Sequence, residues 1–553
     1  MTRRNRTLAA GFAALCVVAA CNSDLNVINP NAPDARRALS DPAALEAVAG
    51  GTLHSWYTGY EGMTAGGPLS TMADAYSSSW NNYFMLYINS QDPDGSRNTR
   101  PWKNDPGAKE RAHLEWYWTA YYGVASSASD VLKAIRVDKV VINNAADTKR
   151  AETIAAFMNG AAHSGISMNY NKGYIIDETV DITALQYSNR KQMRDAAVAK
   201  LDAAIALANA NTFTTLAAWT NGRTYTNKQI AQIANTMAAM TLAYYPRDAA
   251  ENATEVDWAK VAGYASKGMS SGAPFDFVFV GDGCTVTSQW CPEILGPWFG
   301  DITTGVVHTR VANLLDPVTQ KDPYCGSVGT ATCAPGRSGN PRPNSPDKRL
   351  GDGSFGDESL VGDYGTISVT PTSKPGTDFA YIAFELFSSS RGQYHQSNIV
   401  QIRYDLSKNQ DQTGIAAGYG PLPLISAAQN DLIWAEALIR GATPNLALAA
   451  TLINNTRVTR GGLAPATAAD GVDGLLTKLQ YEQDVELLGL GATPFYNRRR
   501  LPNCVQTPGG PCVGGLRAGT PHEMPVPAKE LGVKSEALYT YGGATNPANS
   551  PKP

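Results

Sequence analysis

Apolar residues recur at steps of three and four along the first half of the chain, a spacing typical of amphipathic helices. The clearest run extends from Leu114 to Ile135. Similar runs predict further helices at about 154–166, 193–208, 230–244 and 258–269. Pro246 is expected to end the fourth of these helices, because proline cannot continue a helix interior.

The predicted helices are rich in alanine and follow one another in pairs. Small side chains allow neighbouring helices to approach closely, as they do in tetratricopeptide-type arrays, where each repeat buries its face on the next. We therefore expect a mostly α fold of tetratricopeptide-like helical pairs.

The helical pattern disappears between residues 271 and 420, where Gly, Pro, Ser, Asp and aromatic residues dominate. Short β-like runs occur there at 275–280 and 398–404. Helical periodicity then returns in three segments, 424–440, 445–459 and 474–490. This order predicts a large, irregular, loop-rich insertion with short β-strands inside a helical fold.

The N-terminus predicts export. Three arginines among the first six residues precede an apolar segment, 8–18, which is too short for a membrane-spanning helix of about 20 residues. Small residues then lead into Cys21, an arrangement that resembles a bacterial lipobox, in which the cysteine is acylated. The alternative is an ordinary secretory signal that happens to contain a cysteine. We expect a signal peptide at 1–20, followed by a lipid-anchored tether and N-terminal segment at 21–50.

Charge and hydropathy narrow the class of protein further. The net charge of −3 becomes −6 when residues 1–20, with three arginines and no acid, are removed. A negative balance argues against a nucleic-acid partner, which requires a basic face. No other segment has the length and hydropathy of a membrane span, so we expect a soluble body that is anchored only by its lipid.

Six cysteines follow the signal segment, in three local pairs. They are Cys284 with Cys291, Cys325 with Cys333, and Cys504 with Cys512. Six cysteines allow 15 pairings, but the local ones close the shortest loops, and disulfides suit an exported protein. The alternative is metal binding, although zinc sites usually have closer C-x₂₋₄-C pairs. We expect three disulfide loops and no metal or cofactor.

Local motifs in a fixed order resemble the SusD/RagB family of outer-membrane nutrient-binding lipoproteins. The motifs are DLNVINPNAPDARRALSDPAALEAVAGG (24–51), AVAKLDAAIALA (197–208), RGQYHQSNIVQIRY (391–404), LISAAQNDLIWAEALIRG (424–441), LINNTRVTRGGL (452–463), YEQDVELLGLGATPFYNRRRL (481–501) and HEMPVPAKEL (522–531). The resemblance divides the chain into a helical-repeat part with a ligand-site loop (51–270), the insertion (271–420), and a C-terminal helical pair and tail (421–553).

Two segments depart from the family pattern. Family members often read E-R-R-x-E-L and W-x-D-L-R-R near the C-terminus, whereas this chain has YEQDVEL at 481–487 and FYNRR at 495–499. The departures leave the expected fold unchanged, but they leave open whether the ligand is a glycan, a peptide or another polymer.

The resemblance implies a non-enzymatic role at the cell outer membrane. Such lipoproteins capture an oligosaccharide or another oligomeric nutrient and act as a lid on a TonB-dependent, SusC-like transporter. The helical pairs would face the transporter, while the insertion and the N-terminal loops would bind the ligand.

Sugar binding requires flat aromatic platforms for apolar sugar faces, with amides and acids for the hydroxyls. The candidate ligand-binding residues are Asp74, Trp80, Asn81, Asn82 and Tyr83 in one loop, and Trp290 and Trp298 in the insertion. A disulfide at Cys291 would hold the two insertion tryptophans rigidly. The alternative is that these aromatic residues pack the core, as expected for the helical Trp116, Trp118 and Trp434.

Catalytic signatures are sparse. The six histidines form no H-E-x-x-H motif, and no G-x-S-x-G elbow or P-loop is present. The enzyme alternative is a lipid-anchored glycoside hydrolase, which needs two carboxylates at a set separation. The insertion offers Asp347, Asp352, Asp357 and Glu358 for that role. A further alternative is a structural helical-repeat scaffold without a small ligand.

Overall fold

The structure is a computed structural model of the 553-residue chain. The residues it describes are 39–77, 101–272, 274–299, 305–322, 342–351, 376–381, 397–403, 418–506, 512–543 and 545–550. Within this part of the chain there are fourteen α-helices and five two-stranded antiparallel sheets.

The N-terminal half is helical, as the periodicity predicts. Its elements in chain order are α1 (Pro42–Glu61), α2 (Met63–Met72), β1 (Tyr76–Ser77), α3 (Ala112–Arg136), α4 (Ala145–Asn169), β2 (Lys172–Gly173), β3 (Ser188–Asn189), α5 (Arg190–Ala210), α6 (Asn227–Ala243), α7 (Ala249–Thr254) and α8 (Trp258–Ala265). Helices α3 to α6 pack consecutively, each against the next. The predicted mostly α architecture is confirmed.

Local sequence explains where these helices begin. Reciprocal capping boxes start two of these helices, with Asn189 and Gln192 at α5 and Thr226 and Gln229 at α6. Helix α8 is shorter than predicted, because it ends at Ala265 rather than near Met269.

Helix α4 passes through the centre of the molecule, and all its residues from Ala151 to Asn169 are buried. It packs closely on α3 and α5, because its facing side chains are small. A Cβ at Gly160 would lie 2.9 Å from a Leu201 methyl group and 3.0 Å from the Leu201 backbone nitrogen. This close approach requires glycine.

The middle of the chain supplies most of the strands. Its elements are β4 (Phe277–Asp282), β5 (Val306–Val307), α9 (Thr309–Leu315), β6 (Phe379–Tyr381), β7 (Ile399–Gln401) and β8 (Tyr419–Ile425). Strands β4 and β8 pair antiparallel, with Phe279 opposite Leu422 and Asp282 opposite Tyr419. The two ends of the insertion therefore meet on the helical body, where Phe277 and Phe279 face the core.

The C-terminal part returns to helix. It contains α10 (Ala427–Arg440), α11 (Leu446–Arg457), α12 (Gly471–Val485), α13 (Thr493–Arg499), β9 (Val505–Gln506), β10 (Cys512–Val513) and α14 (Ala528–Val533). The predicted helix over 424–440 is wrong at its start, because Leu424 and Ile425 belong to β8. Ser426 caps α10, accepting a hydrogen bond from the Gln429 amide at 3.0 Å. The helix predicted to reach residue 490 ends at Val485.

A buried ion network joins the insertion to α12. Arg349 has no exposed surface, and its guanidinium lies 2.8 Å from Asp347, 2.8 Å from Glu482 and 3.0 Å from Glu486. Tyr481 also donates to Asp347, at 2.8 Å. Asp347 is thus held by a cation and a phenol in the interior.

Candidate ligand-binding site

The first disulfide of the insertion forms a short, exposed loop directly after β4. Cys284 is bonded to Cys291, as the sequence predicts. Thr285, Val286, Thr287 and Gln289 in this loop are exposed, while Trp290 is half-buried. The loop therefore presents polar side chains beside an indole ring.

Hydrogen bonds from β4 and α1 fix the position of Trp290. The carboxylate of Asp282 accepts hydrogen bonds from the Trp290 amide at 2.8 Å and from the Gln289 amide at 3.0 Å. The Tyr57 hydroxyl donates to the Trp290 carbonyl oxygen at 2.9 Å, and Nε2 of His54 donates to the Gln289 carbonyl oxygen at 2.7 Å. Burial raises the pKa of Tyr57 well above its usual value, which keeps this donor protonated.

Three aromatic side chains contact the Trp290 ring. Its centroid lies 4.5 Å from that of His54, 5.3 Å from Tyr57 and 5.9 Å from Phe279. We call Trp290, His54 and the loop residues 285–289 the Trp290 patch. A ring that is positioned before binding costs little ordering entropy when a ligand arrives.

Tyr419, the first residue of β8, places an exposed aromatic residue beside the same loop. It lies opposite Asp282 in the strand pair and keeps 39% of its surface exposed. Gly283, at φ +95°, makes room for it, since a Cβ there would lie 2.5 Å from the Tyr419 ring. Sequence reasoning did not identify His54 or Tyr419, because only the fold brings α1 and β8 to this loop.

Trp298 is half-buried and packs against the main hydrophobic core, near the end of the turn Ile294–Trp298. The helical tryptophans behave as predicted. Trp118 is 7% exposed, Trp116 donates to the Gly59 carbonyl oxygen at 3.1 Å, and Trp434 packs partly buried on α10.

Asp74 is corrected from a ligand contact to a structural residue. It has no exposed surface, and its carboxylate lies 3.2 Å from Arg498 and 3.1 Å from Arg517. His308 is 3.5 Å away, and Arg310 donates to the Asp74 carbonyl oxygen. The nearby cations outweigh burial and lower the pKa of Asp74. This carboxylate has no surface left to offer a sugar.

The remaining predicted site residues lie outside the described part of the chain: Cys21, Trp80, Asn81, Asn82, Tyr83, Cys325 and Cys333. The second described disulfide joins Cys504 and Cys512, as predicted. Among the carboxylates of the hydrolase alternative, Asp347 is occupied by Arg349, and Asp352, Asp357 and Glu358 also fall outside the described residues.

No protein-family model matches the sequence, and a comparison with curated proteins gives no match. Solved structures do match over most of the chain. A SusD-like protein from Bacteroides fragilis superposes with a TM-score of 0.56 at 12% identity, covering 91% of this chain and 97% of its own. The chain has the SusD-like fold.

Two further structures agree with this assignment of the SusD-like fold. A SusD superfamily protein from Bacteroides vulgatus gives a TM-score of 0.53 at 13% identity, covering 92% of this chain and 99% of its own. A second Bacteroides fragilis protein, described as a SusD-like carbohydrate-binding protein, gives 0.52 at 13% identity, covering 84% and 86%.

No helix in the described residues has the length and hydropathy needed to cross a membrane. Those residues also contain no group of three or more His, Cys, Asp or Glu side chains placed to hold a metal ion.

Proposed function

We propose that this chain is a surface-exposed lipoprotein that captures a glycan and delivers it to a TonB-dependent outer-membrane transporter. The observation that carries the proposal is the Trp290 patch on a SusD-like fold. One neighbour of that fold is described as carbohydrate-binding.

The chemistry of the patch suits a saccharide. An indole face packs against the C–H face of a sugar ring, and adjacent hydroxyl and amide groups exchange hydrogen bonds with its hydroxyls. Trp290 supplies the ring, and Thr285, Thr287 and Gln289 supply polar groups beside it. Trp298 and the loop residues Trp80, Asn81, Asn82 and Tyr83 complete the proposed ligand-binding set.

The role is binding rather than catalysis. A glycosidase would need a free pair of carboxylates, and Asp347 is engaged in the interior by Arg349. The same proposal includes removal of residues 1–20 and lipidation of Cys21, which would keep the body at the outer membrane beside its transporter.

A glycan array with the soluble mature chain, compared with the Trp290→Ala variant, tests ligand capture. We expect at least a tenfold loss of affinity for the bound glycan in Trp290→Ala and less than a twofold change in Trp434→Ala, a half-buried tryptophan away from the patch. Equal binding by Trp290→Ala and the unsubstituted chain, with Trp80→Ala and Trp298→Ala also unchanged, would remove the proposed site.

Anchoring and delivery need a test in cells. Cys21→Ser should release the protein from the membrane fraction and abolish glycan uptake, while glycan affinity in solution stays the same. Uptake that persists in Cys21→Ser would show that the lipid anchor is not required for delivery.

A further inference from the structure

A cavity lies within the helical body, lined by residues of α3, α4 and α5 and of the segment that follows β2. Its volume is about 330 Å³, and small-molecule sites range from about 300 to 1,000 Å³. It shares no lining residue with the Trp290 patch. We call it the α3–α5 cavity.

The apolar surface of the α3–α5 cavity consists only of alkyl groups. Three alanines of α5 lie on it at helical spacing, and two of them, Ala199 and Ala203, are exposed. No aromatic residue lines the cavity, so it lacks the flat platform that a sugar ring requires. The cavity therefore suits an aliphatic group. The apolar lining residues are Leu132, Ala156, Ile175, Ala196, Ala199 and Ala203.

Asn159 of α4 also lines this cavity, and its side-chain oxygen has no partner. Its Nδ2 donates to α3, to the Ser129 hydroxyl at 2.8 Å and to the Ala125 carbonyl oxygen at 3.3 Å. That carbonyl can only accept, so the nitrogen must occupy this side of the amide. Oδ1 therefore points away from α3, although Asn159 is only 1% exposed. A ligand that donates a hydrogen bond would satisfy this buried acceptor.

The segment after β2 is fixed in place as a wall of the cavity. His163 of α4 donates from Nδ1 to the Asn159 carbonyl oxygen at 2.7 Å, and its Nε2 accepts from the Ile176 amide at 2.9 Å. Lys200 of α5 donates to the Ile176 carbonyl oxygen at 2.9 Å. Burial lowers the pKa of His163 to about 3, so the ring stays neutral and keeps both roles. A wall that is ordered before binding reduces the entropy cost of binding a ligand.

Lys200 gives the cavity a positive charge that has no ion pair among the described residues. Two acids line the same cavity, but each has another partner. Asp177 accepts hydrogen bonds from Thr179, and Glu178 pairs with Arg136 at 2.7 Å. Burial lowers the pKa of Lys200 despite the charges of Asp177 and Glu178, so an anionic group beside Lys200 would stabilise its charged form.

We propose that the α3–α5 cavity is a second ligand site and that it binds the carboxyl end of a short aliphatic peptide. A peptide N–H donates to Oδ1 of Asn159, and the terminal carboxylate pairs with Lys200. The aliphatic side chain packs against the alanine methyl groups of α5. This site is separate from the Trp290 patch, so substitutions distinguish the failure of either proposal.

The test is calorimetric titration of the soluble chain with N-acetyl-alanyl-leucine and two related probes. The C-terminal amide of this dipeptide lacks the carboxylate, and 4-methylpentanoate keeps the carboxylate and the aliphatic group but has no N–H. An acetylated hexapeptide with the same last two residues distinguishes a free short peptide, which alone would bind, from the tail of a longer chain.

Two substitutions alter the cavity, and each has a matched control on the same helix. Lys200→Met removes the charge, and its control is Lys191→Met at an exposed lysine of α5 outside the cavity. Ala199→Phe fills the cavity from an exposed position, and its control is Ala206→Phe at an exposed alanine outside it. Thermal unfolding shows whether each variant is folded.

We expect the dipeptide to bind about tenfold or more weakly to Lys200→Met and to Ala199→Phe. Its amide and 4-methylpentanoate should each bind the unsubstituted chain about tenfold or more weakly than the dipeptide, because each lacks one hydrogen-bonding group. Dipeptide affinity should change by less than about twofold in Lys191→Met, Ala206→Phe and Trp290→Ala, which alter sites outside the cavity.

The proposal is overturned if the dipeptide does not bind, or if a folded Ala199→Phe variant binds it as tightly as Ala206→Phe does. Equal binding of the amide would exclude recognition of the carboxylate. Equal binding of 4-methylpentanoate would identify a general carboxylate site and would likewise overturn the assignment to a peptide.

Discussion

Glu61 makes the free energy of unfolding of this protein fall as pH rises from about 4.5 to about 8. It ends α1, is 1% exposed, and has no cationic partner among the described residues; one of its carboxylate oxygens accepts no hydrogen bond there. Burial, followed by the charge of Glu293, raises its pKa to about 8. The phenols of four tyrosines also lie near this carboxyl: Tyr57, Tyr60, Tyr117 and Tyr121.

The direction of the effect follows from the raised pKa. Below the unfolded value of 4.5 the carboxyl is protonated in both states, so it costs nothing. Between that pH and about 8 the Glu61 carboxyl ionises in the unfolded chain but stays protonated in the folded chain, so the free energy of unfolding falls as pH rises. Each pKa unit corresponds to about 1.4 kcal/mol, which gives a penalty of about 1 kcal/mol at pH 5 and about 3 kcal/mol at pH 7.

Glu61→Gln removes this penalty with little change in shape. We expect the variant to match the unsubstituted chain near pH 4.5 and to exceed its free energy of unfolding by about 3 kcal/mol at pH 7. Urea unfolding followed by tryptophan fluorescence from pH 4.5 to 8 measures the difference. Glu255→Gln, at an exposed glutamate, serves as the control and should follow the unsubstituted chain throughout. Parallel pH profiles for Glu61→Gln and the unsubstituted chain, or a less stable Glu61→Gln at pH 7, would refute the reasoning.

Three further substitutions test other parts of the structure. Arg349→Met should destabilise the fold by about 3–5 kcal/mol, because it removes the buried cation that Asp347, Glu482 and Glu486 share; urea unfolding measures the loss. Asp74→Asn should cost about 3 kcal/mol or more in the same assay, since it leaves Arg498 buried without its carboxylate partner. Replacing Cys284 and Cys291 together by Ser should weaken glycan binding by threefold to tenfold in calorimetric titration, because the loop loses its fixed shape.

A surface ion pair is the control for the two charge substitutions. Lys133 and Asp138 are both about half exposed, so Lys133→Met should change stability by less than about 1 kcal/mol. Loss of stability in Lys133→Met equal to that in Arg349→Met would contradict the importance of burial. Full glycan affinity in the double serine variant would mean that hydrogen bonds to Asp282 alone hold Trp290 in place.

Periodicity predicted α3 and α5 well because each of these helices buries one face and exposes the other. It failed at Leu424 and Ile425, where a run of apolar residues continues from a strand into a helix without a break in hydropathy. Only pairing with β4 and the Ser426 cap decide where the helix begins.

The candidate site was partly predictable from local sequence. The spacing of Cys284 and Cys291 indicated a disulfide loop, and Trp290 directly precedes Cys291 in the chain. His54 is more than two hundred residues away in sequence and reaches that loop only through the packing of α1. Asp74 was misread because its neighbours in sequence suggest an exposed loop, while the arginines that enclose it come from distant segments.

The pairing of β4 with β8 has a consequence for how proteins of this fold can diverge. The strands fix both ends of the insertion at neighbouring points on the helical body, so the chain between them is a long loop whose ends are held together. Doubling the length of such a loop costs only about 0.6 kcal/mol in closure entropy. Segments between these strands that lack buried contacts with the helices can therefore lengthen, shorten or be exchanged, and chimeras with new ligand preferences built at this strand pair should keep Arg349 and its partners Glu482 and Glu486.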